Sequence, residues 1–181
     1  MEKVLYKEEQ RFSQWWLWLI MVLTLLSVLI PFSYGVYSQE VLDEPFGDNP
    51  MSTAGLIVTG ITSLLILGGI AILFFVARLK TRITNEGLFV SFPPLINKWK
   101  KYDPNEIENY KLRTFKAKRE YGGYGIKRSR KYGQSYTVSG SIGLQLYLNN
   151  GKKLLIGTQK KQAIEHAMGK LMDEERKEYD K

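Results

Sequence analysis

The sequence predicts a two-helix transmembrane hairpin followed by an α+β, mainly β, domain of antiparallel strands closed by a C-terminal helix. Three observations predict it. Residues 15–39 and 49–77 carry no charged side chain at all. Residues 78–181 hold 23 of the 26 Lys and Arg but 11 of the 18 Asp and Glu, so one half of the chain is strongly basic and the other is not. Beyond Ala77 the apolar residues stop running together and begin to alternate, and from Thr158 they recur at helical spacing.

The first uncharged run is apolar from Trp15 to about Tyr34, and in the second, residues 55–77 are almost wholly apolar. At about 1.5 Å per residue the second reaches roughly 35 Å, enough to cross a hydrocarbon core of about 30 Å. Only a helix satisfies its own backbone groups in lipid, so both runs are read as helices. Pro31 falls near the far end of the first, where a lost hydrogen bond costs least. A cleaved signal peptide ending at Val36-Tyr37-Ser38 is the rival reading. Three acidic residues among the three basic ones before the run make a poor n-region, and the Trp15, Trp16, Trp18 cluster suits a membrane interface. Lys7 and Arg11 precede the first run, and Arg78, Lys80 and Arg82 follow the second. The connection holds Glu40, Asp43, Glu44 and Asp48 and no Lys or Arg. The positive-inside rule therefore places both termini in the cytoplasm and the connection outside. Gly55, Thr59 and Ser63 recur at i+4 spacing, a small-residue face on which the first helix is expected to pack, unless that face meets lipid.

In the basic half, Thr84-Asn85-Glu86-Gly87 signals a turn. GLFVSF then alternates with Leu88, Val90 and Phe92 on one face, and Pro93-Pro94 ends it. INKWKKY reads as a returning strand anchored by Ile96 and Trp99, and ENYKLRTFK as another after Asp103-Pro104. GLQLYL alternates with Leu144, Leu146 and Leu148 inward. Asn149-Asn150-Gly151 then supplies a tight turn into KKLLIG. Ala163, Ile164, Ala167, Met168, Leu171 and Met172 mark an amphipathic helix with Thr158 as its cap, and DEERKEYDK is expected to fray beyond it. The resulting boundaries are a cytoplasmic N-terminal segment 1–14, helices 15–34 and 55–77 around an external acidic loop 35–54, a cytoplasmic domain 78–172 and a charged tail 173–181. Strand boundaries within 115–142 stay open.

Strands closed by one C-terminal helix have the outline of a pleckstrin-homology-like (PH-like) barrel. TRITNEGLFVSF, NKWKKYDPNEIENY and LLIGTQKKQAIEHAM resemble bacterial PH-like domains that follow transmembrane hairpins. With EEQRFSQWWLW and YGGYGIKRSR, nearly the whole chain is similar to an uncharacterised family of small bacterial membrane proteins. That resemblance implies fold and topology and carries no activity.

The stretch from Lys111 to Lys131 sets nine basic residues against Glu120 alone: Lys111, Arg113, Lys116, Lys118, Arg119, Lys127, Arg128, Arg130 and Lys131. A nucleotide cradle needs its glycines between a strand and a helix, followed by a Lys-Ser or Lys-Thr pair. Gly122, Gly123 and Gly125 have neither. Phe115, Tyr121 and Tyr124 would suit base stacking, but a domain tethered to a bilayer makes nucleic acid the poorer partner. Anionic lipid headgroups suit it better, each basic residue near the surface contributing on the order of 1 kcal/mol. Lys98, Lys100 and Lys101 are expected to join the cluster if the sheet folds as read. The plain alternative is a soluble glycine-tyrosine hairpin with a wet tip. Without cysteine, and with His166 as the one histidine, thiol catalysis and multi-histidine metal sites are excluded. Ser135, Ser139 and Ser141 have no base beside them, and Glu106 and Glu108 form no facing pair. No enzyme activity, metal or cofactor is therefore expected. The expected function is a membrane-anchored binding or scaffolding protein contacting anionic headgroups, a protein partner, or both. The alternative is a small structural subunit of a membrane complex acting through its helices.

Overall fold

A computed structural model describes residues 3–179, with side chains through Asp173. The chain divides into two compact units, Ser13–Phe75 and a β-rich unit made from Met1–Phe12 together with Val76–Lys181.

The first unit is a helix pair, α1 (Trp15–Val41) and α2 (Thr53–Val76). With 27 and 24 residues they rise roughly 40 and 36 Å, and both are long and apolar enough to cross a membrane. Their apolar side chains are mostly uncovered: Leu65 is 71% and Phe75 70% exposed, which a buried core helix would not show. Helix α1 continues past Pro31 to Val41, through residues that carry no charge as far as Gln39. The connection is therefore shorter than the sequence implies, and it is pinned from α1: Gln39 Nε2 donates to Met51 O (2.8 Å) and Ser38 Oγ to Glu44 O (3.1 Å). Tight glycine contacts between the two helices lie one position away from the predicted face. A Cβ on Gly60 would stand 3.2 Å from the Phe32 ring, and one on Gly35 3.2 Å from Leu56. Gly55 has its near neighbours in Met51 and Ser52, Thr59 is exposed and Ser63 half-buried.

The β unit begins before the helices. Strand β1 (Val4–Arg11) pairs antiparallel with β2 (Arg78–Thr84), in register from Tyr6↔Ile83 to Arg11↔Arg78. Strands β3 (Gly87–Phe92) and β4 (Ile96–Tyr102) complete a four-stranded meander. Residues 4–11 of the segment expected as a cytoplasmic N-terminal segment, 1–14, are thus the edge strand of the sheet, and the helix pair is an insertion between β1 and β2. The inward side chains of β1 include Glu8 and Gln10, so its alternation does not read as hydrophobic.

After a 3₁₀ turn at Pro104–Glu106, β5 (Ile107–Thr114) opens a second sheet. A five-residue helix, α3 (Ala117–Tyr121), precedes β6 (Gly125–Ser129), β7 (Gly133–Thr137), β8 (Ile142–Leu148) and β9 (Lys153–Gly157). Their order is β5-β8-β9-β7-β6. Two sheets, not a closed barrel, result: β5 pairs with β8, not with β4, across the proline-bearing turn. The strands are also not all antiparallel, since β7 runs parallel to β9 through Gln134↔Leu154 and Tyr136↔Ile156. Helix α4 (Lys161–Tyr179) closes the unit, with Ile164, Ala167, Met168 and Leu171 buried. His166 is exposed, as its place on the helix requires. The charged tail is helical through Tyr179; whether its side chains fray lies outside the described residues.

Leu88, Val90 and Phe92 of the first sheet and Leu144 and Leu146 of the second fill the core as the alternation predicts. Trp99, expected as an anchor, is instead 42% exposed on the outer face of β4. The glycine-tyrosine excursion covers the other face of the second sheet, where Phe115, Ala117 and Tyr121 pack on Leu155, flanked by Tyr124 and Tyr132. Gly122 makes this cover possible: at φ 75° it ends α3 in the left-handed region, its N–H bonded to Ala117 O and Lys118 O.

Candidate functional site: a basic groove

Three segments far apart in sequence converge on one cavity of about 890 Å³ in the β unit. Strand β4 supplies Lys100 and Tyr102, the β6–β7 hairpin Arg128, Arg130 and Lys131, and the β8–β9 turn Lys152 and Lys153. Six cations line it and no carboxylate does. Among the described residues none of the six forms an ion pair. Like charges gathered without a carboxylate among them favour an anion that enters between them.

Tyrosine rings steady several of the ammonium groups. Lys100 Nζ lies 5.2 Å from the Tyr102 ring centroid, Lys131 Nζ 5.4 Å from that of Tyr132, and Lys153 Nζ 6.0 Å from that of Tyr147. Burial pushes the Tyr102 hydroxyl up to about 12, against the lowering effect of its hydrogen bond with Tyr136 and with a small further rise from Glu106. It therefore stays protonated at neutral pH and adds no negative charge to the groove. Gln134 Nε2 holds the Tyr136 hydroxyl at 2.8 Å. The walls meet at Gly133, whose φ of 83° and contact with the Lys153 carbonyl leave no room for a side chain. That close approach lets β7 run beside β9 and brings the KRSRK hairpin to the β8–β9 turn.

The predicted basic residues separate into groups. Arg128, Arg130 and Lys131 line the groove, and Lys100 joins them. Lys111, Lys116, Lys118, Arg119 and Lys127 are exposed but do not line it. Arg113 holds the excursion in place: it pairs with Glu120 at 2.7 Å and donates to Gln145 Oε1 (3.0 and 3.1 Å) and to the Tyr121 hydroxyl (3.3 Å). Lys152 and Lys153 carry no signal in the sequence, because two lysines after a turn gain a role only once the turn has a neighbour. The glycines at 122–125 follow the short helix α3 and lead into a strand, the reverse of a phosphate cradle. Among the described residues no cluster of metal-ligating side chains occurs.

No known protein family and no curated protein matches this chain.

Proposed function

We propose that this protein is a membrane-anchored, non-enzymatic binding module of a bacterial inner membrane, whose PH-like β unit offers its basic groove to phosphate-bearing anions, anionic lipid headgroups above all. The observation that carries the proposal is the convergence of six cations from three chain segments on one cavity without a carboxylate. The volume lies within the range of ordinary ligand sites.

The membrane reading draws on the length and uncovered apolar surface of α1 and α2. The pairing of β1 with β2 in one sheet supports a topology in which both ends of the helix pair lie on one side of the membrane. The connection between the helices has Asp43, Glu44 and Asp48 without a Lys or Arg, so the positive-inside rule puts the β unit in the cytoplasm. The PH-like reading draws on strand order: without residues 115–141, a four-stranded meander, the β5-β8-β9 meander and a C-terminal helix remain.

Calorimetry on the full chain in zwitterionic nanodiscs tests the groove, with soluble short-chain phosphatidylglycerol and inorganic pyrophosphate as probes. Both are expected to bind, the lipid more tightly, and to lose about ten-fold or more in affinity in Arg128→Glu/Arg130→Glu/Lys131→Glu, since each charged contact removed is worth on the order of 1 kcal/mol. Unchanged affinity in that variant overturns the groove. Tighter binding of pyrophosphate overturns the headgroup and assigns a free phosphate solute.

A further inference from the structure

A second basic surface lies on the outer face of the four-stranded sheet. The buried side chains of β1 and β2 are Tyr6, Glu8, Gln10, Leu79, Thr81 and Ile83, so their strand neighbours point the other way. Those neighbours are Lys7, Glu9 and Arg11 on β1, paired across the ladder with Arg82, Lys80 and Arg78. Five cations therefore surround one carboxylate. That carboxylate is already engaged, Glu9 Oε1 meeting Arg78 at 3.0 Å and Arg11 at 3.3 Å. Although desolvation opposes it, the charges of Arg78 and Lys80 and the bonds from Arg78 and Arg11 hold the Glu9 carboxyl below its ordinary range.

The same face carries uncovered aromatic surface. The Arg82 guanidinium lies over both the Phe89 ring (5.0 Å) and the Trp99 ring (5.4 Å), and Trp99 is 42% exposed. The β3–β4 turn adds Leu95, 59% exposed. This turn sits at the end of the sheet where β2 begins, because Arg78 N–H donates to Pro93 O at 3.0 Å. That end is also where the chain leaves for the helices. Only Ala77 separates Val76 of α2 from Arg78, and only residues 12–14 separate Arg11 from α1. At no more than about 3.6 Å per residue, Arg78 is held within roughly 7 Å of the last residue of α2, and Arg11 within roughly 14 Å of the first of α1.

We propose that this outer face, with Trp99 and Leu95 at its margin, docks on the anionic headgroup layer of the bilayer that holds the helices. Lys7, Arg11, Arg78, Lys80 and Arg82 meet lipid phosphates, and the indole and Leu95 reach the boundary between headgroups and acyl chains, where amphipathic aromatics accumulate. Charge complementarity and the paired tethers select this occupant. The inference rests on the reading that α1 and α2 span a membrane and is independent of what the groove binds.

The chain has no cysteine, so a single Leu95→Cys labelled with an environment-sensitive fluorophore reports this edge alone. In nanodiscs containing about 30% phosphatidylglycerol, the probe is expected to shift to the blue and to be quenched several-fold more by headgroup-nitroxide lipids than a probe at Lys111→Cys. Lys7→Glu/Lys80→Glu/Arg82→Glu, or 1 M salt, where the screening length falls to about 3 Å, is expected to remove the difference. A Leu95 probe as wet as the Lys111 probe, in a chain retained by the discs, overturns the docking surface and leaves the spanning helices intact. A chain recovered without discs overturns both.

Discussion

Glu8 is an acid placed where sequence patterns put a hydrophobic residue. It is buried, and its carboxylate accepts hydrogen bonds from the Tyr6 hydroxyl, from Thr158 Oγ at 2.9 Å and from Gln159 N–H at 2.9 Å. Thr158 in turn accepts Lys160 N–H at 3.0 Å, so the expected cap of the last helix is itself held by the first strand. Beside it, Gln10 Nε2 donates to Gly157 O at 2.8 Å. A buried charge is tolerated when every oxygen is satisfied, and removing it strands its donors. Glu8→Ala is therefore expected to cost about 3 kcal/mol of the β unit's stability, read from chemical denaturation of the full chain in detergent. Glu8→Gln, which keeps one acceptor oxygen, is expected to lose less. Equal stability of Glu8→Ala and the wild type would show that this cluster is not what fastens β1.

At the scale of elements, helix packing and the covering excursion depend on single glycines for different reasons. Gly60 faces the Phe32 ring, whereas Gly68, two turns on, faces open space. Gly60→Ile is expected to lower the thermal stability of the helix pair by several degrees in detergent, while Gly68→Ile leaves it unchanged or raises it through better helix propensity. A matched effect at both positions would remove Gly60 from the contact. The excursion between β5 and β8 does two jobs with two parts of one motif. Its glycine-tyrosine part covers Leu155, and its KRSRK part delivers cations to the groove.

For the whole molecule, the insertion of the helix pair between β1 and β2 makes assembly of the sheet conditional on topology. Strand β1 is made first but finds its partner only after both helices have been synthesised and the chain has returned. A single crossing, or three, would place β1 and β2 on opposite sides of a membrane. Adding a third span after residue 41 is therefore expected to leave β1 unpaired and the β unit protease-sensitive. In the natural chain, tags at the N-terminus and after residue 173 are expected to be accessible from the cytoplasmic side only, and one within 42–52 from the outside only. Labelling in spheroplasts and inverted vesicles reads all of them, and opposite exposure of the two terminal tags would be incompatible with the sheet.

Long-range partition was legible in the amino acids alone: two uncharged runs, a basic remainder, inward Leu88, Val90, Leu144 and Leu146, and a final amphipathic helix. Each is a local pattern, set by the polarity of neighbouring residues against water or lipid. The strand role of β1, the parallel β7–β9 pair, the separation into two sheets and the grouping of Lys100 and Arg128 with Lys152 and Lys153 were decided only in three dimensions. Glu8 becomes a core residue because Thr158 and Gln159 arrive from about 150 positions away to satisfy its carboxylate, and Gln10 is held beside it through Nε2 by Gly157 O. The groove exists because Gly133 lets two backbones approach. Polar satisfaction and backbone proximity are properties of pairs, and one-dimensional periodicity registers only what each residue prefers by itself.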